Sequence, residues 1–199
     1  ARTEYEVIIV DDGSKDGTLA VARRLAEKYG NITAVTQENG GASKARNTGL
    51  AHAQGDYIWF VDGDDYVVEN CIGRVLGLCE EHDLDICHFT LNLMDKHGNI
   101  TKNLNNVENE CLMEGRDVLL RDLGDAVSSV CANFYKRELI VSNGLDFAVG
   151  VTQEDVEFNG KVFALAQRCM FVEDSMYVYY YNGLSGEHNP NIEKRKKYA

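Results

Sequence analysis

The sequence predicts an α/β chain: a mostly parallel sheet flanked by helices, followed by a smaller mixed region. Two largely apolar runs, at 5–10 and 56–61, read as buried strands, and each ends in carboxylates, Asp11-Asp12 and Asp62-Gly63-Asp64-Asp65. Helical patterns alternate with these runs across short loops, as crossover helices between parallel strands do. Open α/β sheets hold ligands beyond the carboxyl ends of their strands, so the acidic clusters mark the candidate site.

The elements follow in order. After the strand at 5–10, Asp16 or Thr18 caps a helix over about 19–29, with Leu19, Ala22, Leu25, Ala26 and Tyr29 on one face and Gly30 as its stop. A strand at 32–36 leads to the glycine-rich loop Gln37-Glu38-Asn39-Gly40-Gly41, then a helix from Ala42 to Ala53 closed by Gln54-Gly55. Beyond the 56–61 strand come a helix at 69–82, a strand at 85–91 and a turn at 95–99. The pattern is then less regular: a helix near 114–123, an apolar segment at 127–135, a helix near 153–167, and a strand-rich stretch at 170–181 broken at Asp174-Ser175. The division expected is a single domain over 1–185, its nucleotide-binding half about 5–91 and its acceptor-side half about 92–185, with a basic tail at 186–199. In that tail Lys194, Arg195, Lys196 and Lys197 form a small patch, read as a solvated end, with membrane-surface or anionic-acceptor contact as the alternative.

Composition narrows the function. At 199 residues and 44% hydrophobic, the chain can bury a sizeable core. Its 20 basic and 32 acidic side chains leave a formal charge of −12, which excludes a general nucleic-acid binder, since such binding rests on Lys and Arg neutralising phosphates. An anionic ligand therefore needs a metal or a helix N-terminus. The six cysteines contain no Cys-x-x-Cys pair and lie mostly in apolar stretches, as reduced core thiols of a cytosolic protein do. No signal peptide and no apolar span of 18 residues is present in the sequence.

Four motifs carry chemistry. Three carboxylates at 62–65 repel one another unless a cation sits among them, and hard oxygen ligands favour Mg²⁺ or Mn²⁺. Asp11-Asp12-Gly13-Ser14 is a second acidic strand end; if both strands share a sheet, one cluster holds a base or ribose and the other a metal-bound diphosphate. An EF-hand starting at Asp12 fails because its last ligand position is Arg23. Gly40-Gly41 before a helix carrying Lys44 and Arg46 offers N–H groups and a cation to an anion, but it lacks the Lys-Ser/Thr ending of a P-loop. Glu154-Asp155 opens an amphipathic helix. Periodicity alone reads them as acids stabilising a helix N-terminus; the functional alternative makes Asp155 a general base with Glu154 as neighbour.

Together these residues carry a resemblance. Val-Ile-Ile-Val-Asp-Asp-Gly-Ser-x-Asp-Gly-Thr at 7–18, Asn-Gly-Gly-x-Ser-x-Ala-Arg-Asn-x-Gly at 39–49, Asp-Gly-Asp-Asp at 62–65 and Glu-Asp-Val-Glu-Phe at 154–158 resemble, in order, the bacterial family 2 glycosyltransferases. The resemblance implies a GT-A fold with a Rossmann-like sheet, a nucleotide-diphosphate sugar donor such as a UDP-sugar, Mn²⁺ or Mg²⁺, and inversion at the anomeric carbon. Residue by residue it puts Asp12 on the nucleobase with Asp11 beside it, Arg46 on the nucleotide, Asp62 near the ribose, and Asp64 on the metal with Asp62. It makes Asp155 the catalytic base. His188 is a further candidate metal or diphosphate contact. The acceptor expected is a saccharide or lipid-linked group of a cell-surface polysaccharide, handled at the cytoplasmic side of the membrane.

Family members usually begin with a further strand and long helix ahead of the Asp-Asp-Gly-Ser strand, which here starts about five residues from Ala1. The expectation is a chain lacking that strand, with exposed strand edges that a second copy can cover in a homo-oligomer. The alternative function is a catalytically silent nucleotide-sugar-binding or assembly domain. A phosphoryl-transfer enzyme of the haloacid-dehalogenase type is disfavoured, because Tyr66 stands where those enzymes place Thr or Val.

Overall fold

In the computed structural model, residues 5–102, 110–120 and 128–181 are described; the tail at 186–199 and His188 lie outside them. β1 (Val7–Asp11) pairs in parallel with β2 (Ile32–Thr36), in register Val7 to Ile32 through Asp11 to Thr36. Between them runs α1 (Thr18–Lys28), whose first turn is held by the Asp16 carboxylate accepting from the Thr18 N–H at 2.9 Å and whose Ala22 is buried. Gly13 makes the turn after β1 at a φ of 73°, and a Cβ there would press on the Asn39 nitrogen at 2.9 Å, so both backbone conformation and space require glycine. α2 (Gly41–His52) follows the glycine loop.

The second sheet has seven strands. β3 (Tyr57–Trp59), β4 (Tyr66–Val67), β5 (Ile86–Asp95), β6 (Ile100–Lys102), β7 (Cys111–Met113), β8 (Asn133–Lys136) and β9 (Cys169–Tyr181) form it, in the order β3-β8-β5-β9-β4, with β6 beside β5 and β7 beside β9. Only β5 and β9 run parallel in it. The α/β class holds, but the expected mostly parallel sheet is a mixed one. The apolar run at 56–61 shortens to β3, which pairs antiparallel with β8 and not with β1, so the two acidic strand ends do not share one hydrogen-bonded sheet. Among the described residues β1 pairs only with β2 and β3 only with β8. Side chains bridge the two sheets instead. The Glu6 carboxylate accepts from the Gln54 and Gly55 N–H groups at 2.7 and 2.9 Å, just before β3, and Ile8 and Leu50 pack against the main core.

The break expected at Asp174-Ser175 is a bulge inside β9. Its register against β5 jumps from Phe89–Val172 to Thr90–Ser175, and the strand continues on both sides. On the helical side lie α3 (Ile72–Glu81), α4 (Gly115–Leu120), α5 (Arg137–Ser142) and α6 (Glu154–Leu165). The expected apolar segment at 127–135 begins one residue outside the described ones; within them it holds a short 3₁₀ turn, Val130–Ala132, and β8. No cysteine is paired: all six are free thiols. No helix among the described residues is long and apolar enough to cross a membrane.

Aromatic packing sets where α6 sits. Phe147 and Phe158 stack at 4.0 Å with planes 8° apart, and Phe60 meets both edge-on at 5.1 and 5.9 Å. Such buried rings supply much of a core's apolar area and also fix orientation. α4 packs on the other end of the same helix at Gly115, whose N–H donates to the Ala166 carbonyl at 3.0 Å. A Cβ at Gly115 would overlap the Phe163 carbonyl, which is backbone and cannot swing aside. Gly115→Ala is therefore expected to cost about 3 kcal/mol, the upper range for overpacking. Thermal unfolding followed by circular dichroism should show a Tm lower by roughly 6–12 °C; an unchanged Tm would mean that α4 can shift freely.

Candidate functional site

Asp12 ends the first apolar run, and its carboxylate closes the glycine loop onto it. Oδ1 accepts from Gln37 Nε2 at 2.7 Å and the Gly40 N–H at 2.9 Å; Oδ2 accepts from the Gly41 N–H at 2.8 Å and Asn39 Nδ2 at 3.2 Å. Burial raises the Asp12 pKa, but the bonds from Gln37, Gly40 and Gly41 outweigh it and hold the group below its ordinary value. With four donors on two oxygens, this aspartate shapes the loop and the start of α2. Asp11 is 3% exposed; its Oδ2 accepts from Thr36 Oγ1 at 2.9 Å, and its Oδ1 is buried with no partner among the described residues. Alternation explains the difference, since neighbouring strand residues face opposite sides.

Arg46, in the middle of α2, gathers the other motifs. Its Nη2 donates to Asp62 Oδ1 at 3.0 Å, and its Nη1 donates to Asp155 Oδ1 at 2.5 Å and Glu154 Oε1 at 3.2 Å. The side chain is only 12% exposed, and its guanidinium carbon lies 5.4 Å over the Phe147 ring. Burial disfavours its charge, but Asp155 and Asp62 more than offset that and hold its pKa above the ordinary value. Asn47 fixes the same face of α2: its amide donates to the Phe147 carbonyl at 2.8 Å and accepts from the Phe147 N–H at 2.8 Å.

Asp155 is held from two sides, by Arg46 on Oδ1 and by the Val130 N–H on Oδ2 at 3.1 Å. Burial pushes its pKa up, and Arg46 and Val130 moderate that rise. The carboxylate thus holds a proton more readily than an exposed aspartate does. Gln153, just ahead of it, sits at φ 60° and ψ 43°, a left-handed conformation costly for a residue with a side chain. Such strain recurs at functional sites, and here it aims two adjacent acids at Arg46.

The acidic turn divides its labour among three carboxylates. Asp62 faces Arg46. Asp65 is drawn back into the fold, accepting from Tyr177 Oη at 2.5 Å and the Tyr180 N–H at 2.8 Å. Asp64 stays exposed at the tip with no hydrogen bond or ion pair among the described residues. Of the expected site residues, then, Arg46, Asp62, Glu154 and Asp155 meet directly, Asp64 follows Asp62 in the same turn, and Asp11 and Asp12, at the end of β1, make no bond to that group. Asn47, Val130 and Tyr177 were not foreseen. Asn47 lies inside a motif and was within reach of the sequence; a backbone N–H and a tyrosine in an apolar strand leave no signal.

Asp62, Asp64, Glu154 and Asp155 together carry more negative charge than Arg46 neutralises. Among the described residues no three side chains form a ready-made metal cluster. The donors are all oxygens, however, and a Mg²⁺- or Mn²⁺-like ion commonly takes only one or two carboxylates and finds its remaining ligands on phosphates. That ion and the charge excess fit each other.

Comparison with known proteins bears on the fold and the family. The description "Glycosyl transferase family 2" matches residues 1–141. The uncharacterized glycosyltransferase YibD of Escherichia coli (strain K12) is 29% identical, over 98% of this chain and 60% of that protein. The uncharacterized glycosyltransferase EpsJ of Bacillus subtilis (strain 168) is 32% identical, over 89% of this chain and 53% of that protein. The chain thus spans little more than half of these relatives. A crystal structure of S. aureus TarS 1–349 in complex with UDP-GlcNAc superposes with a TM-score of 0.76 at 25% identity, covering 94% of this chain and 52% of that one.

Proposed function

The chain belongs to glycosyl transferase family 2, with an α/β fold of the GT-A type, and on that premise we propose that it moves a sugar from a nucleotide-diphosphate donor to an acceptor hydroxyl with inversion. The observation that carries this reading is the meeting on Arg46 of Asp62, Glu154 and Asp155, residues up to 109 positions apart in sequence. The donor is a UDP-sugar, a class supported by the UDP and UDP-GlcNAc complexes of TarS.

In this reaction the acceptor oxygen attacks the anomeric carbon, Asp155 takes the hydroxyl proton, and the sugar–phosphate bond breaks with its electron pair leaving on the diphosphate. Asp64 and Asp62 are the groups that would hold Mn²⁺ or Mg²⁺, which when bound offsets the charge growing on that leaving group. Arg46 fixes Asp62 and Asp155 relative to each other, so that the cation site and the base keep one spacing as the nucleotide enters. Glu154 shares the Arg46 cation and stiffens the start of α6. The acceptor proposed is a saccharide or lipid-linked group of a cell-surface polymer, in keeping with S. aureus TarS, whose name is poly(ribitol-phosphate) beta-N-acetylglucosaminyltransferase. We place the work at the cytoplasmic face of the membrane, with peripheral attachment.

Calorimetric titration of UDP and then UDP-sugars into the chain, with and without Mn²⁺, tests the reading. Binding is expected to require the metal and to disappear in Asp64→Ala, the loss of a sole unpartnered carboxylate at the turn's tip. Binding that ignores both metal and Asp64 would overturn the cation site. Binding without transfer to any acceptor would favour a silent nucleotide-sugar-binding domain.

A further inference from the structure

Tyr177 lies in β9 with 1% of its surface exposed, and its hydroxyl both accepts from and donates to the acidic turn while also meeting the Cys131 thiol. The oxygen accepts from the Asp62 N–H at 3.1 Å, and the proton is donated to Asp65 Oδ2 at 2.5 Å. The second oxygen of Asp65 accepts from the Tyr180 N–H at 2.8 Å, and the Asp65 N–H donates to the Asp62 carbonyl at 3.2 Å. β4, which continues directly from the turn, is paired to the same strand, Tyr66 opposite Val178 and Val67 opposite Tyr177. The turn is thus laced to β9 at its beginning and its end, while Asp64 between the laces remains free.

The other side of Tyr177 faces the base. Its ring packs against Trp59 at 6.3 Å, and the Trp59 indole N–H donates to the Cys131 carbonyl at 2.8 Å. The residue before Cys131 is Val130, whose N–H holds Asp155. One side chain therefore joins the turn bearing Asp64 to the turn that orients Asp155.

We propose that Tyr177, acting through Asp65, is a positioning residue that sets the Asp62–Asp65 turn so that Asp64 offers its carboxylate to a divalent cation at a fixed place relative to Asp155. The inference rests on the glycosyltransferase reading in taking Asp64 as the cation's ligand. Without the hydroxyl, the Asp62 N–H and Asp65 Oδ2 lose their partner in a half-buried setting, and the turn gains conformations in which Asp64 points elsewhere. Partners that orient a metal ligand typically change affinity by about 10–100-fold when removed.

The test is Tyr177→Phe, which keeps the ring against Trp59 and removes only the hydroxyl. Free Mn²⁺ is followed by electron paramagnetic resonance as it is titrated into protein with UDP. The half-saturating Mn²⁺ concentration is expected to rise about 10-fold or more, while the UDP Kd at saturating Mn²⁺ returns to near the wild-type value. Asp65→Asn, which keeps the shape but cannot accept at both oxygens, should move Mn²⁺ affinity in the same direction. Phe89→Leu serves as the structural control: Phe89 is fully buried and meets Trp59 at 5.4 Å, but its ring has no polar atom to bond the turn. It should lower Tm and leave the Mn²⁺ titration unchanged. Wild-type Mn²⁺ affinity in Tyr177→Phe, or an equal loss in Phe89→Leu, overturns the inference alone. A wild-type chain that binds UDP but takes up no Mn²⁺ with it overturns the cation site and this inference with it, and one that binds neither sinks the donor reading as well.

Discussion

Asp155→Asn is expected to lower sugar transfer by about 10²–10⁴-fold, the usual contribution of a positioned general base, while the Kd for the nucleotide-sugar changes little. The amide keeps the volume of the carboxylate and cannot take a proton. It also puts an NH₂ against either Arg46 or the Val130 N–H, both donors, so a small loss of Tm should accompany the loss of rate. Measuring Kd by calorimetry and transfer or donor hydrolysis by UDP release separates the two effects. Full turnover in the variant would remove Asp155 from the chemistry and leave it as a helix-terminal acid.

The pH dependence follows from the same burial. Because the folded-state pKa of Asp155 is raised above 3.8, the carboxylate is still partly protonated at a pH where a free aspartate is fully ionised. Transfer should therefore rise with pH along an acid limb whose midpoint lies above 3.8, the value for an unperturbed aspartate. Stability runs the opposite way for this group. The native state binds the proton more tightly than the unfolded chain, so the associated stability is present at low pH and is lost as pH climbs from 3.8 through the raised folded value. Opposite trends of rate and stability across that window are the signature expected of a carboxylate held in a desolvated place.

Much of the site was legible because its charges sit where local rules put them: after an apolar strand, at a glycine loop, at a helix start. Asp62, Asp64 and Arg46 announce themselves in that way, whereas Glu154 and Asp155, which local rules read as helix-terminal acids, stood out only through the family resemblance; the helices and strands of the first half fall close to their predicted places. Partner choice was not legible. β3 looks like a strand of a parallel sheet, but its neighbour β8 lies more than seventy residues on, and long-range packing of Trp59 against Phe134 decides that pairing. Nor does sequence say which carboxylate of a cluster faces inward. Asp65 and Asp64 are adjacent and chemically alike; the Tyr177 hydroxyl and the Tyr180 N–H, both delivered by β9, separate an anchored carboxylate from a free one. Asp12 is the same lesson at the other strand end, where the loop it closes supplies every donor it can accept.

Arg46→Met should have the largest effect on stability, about 3–5 kcal/mol, the cost of leaving buried charges without their partner. Methionine retains the apolar stem against Phe147 and removes the guanidinium, so Asp62, Glu154 and Asp155 face one another with nothing between them. Two like charges 4 Å apart repel by about 1 kcal/mol in water and several times that in a less polar interior, and three such groups meet here. Protonation relieves the most buried of them, Asp155, while Asp62, with 42% of its side chain exposed, can also turn to solvent. Removing Arg46, which lowers the Asp155 pKa, must raise that pKa further, and a carboxylate whose folded pKa is raised is least costly below it. The difference in Tm between wild type and Arg46→Met should accordingly be large at pH 8 and shrink as pH falls toward 5. Arg46→Lys should recover part of the stability, since an ammonium restores charge but not the fork that reaches Asp62 from Nη2 and the two acids of α6 from Nη1. A variant as stable as wild type at pH 8 would show that the three carboxylates are solvated well enough to do without their cation. The gathering of the motifs on Arg46 would then be a consequence of the fold and not one of its supports.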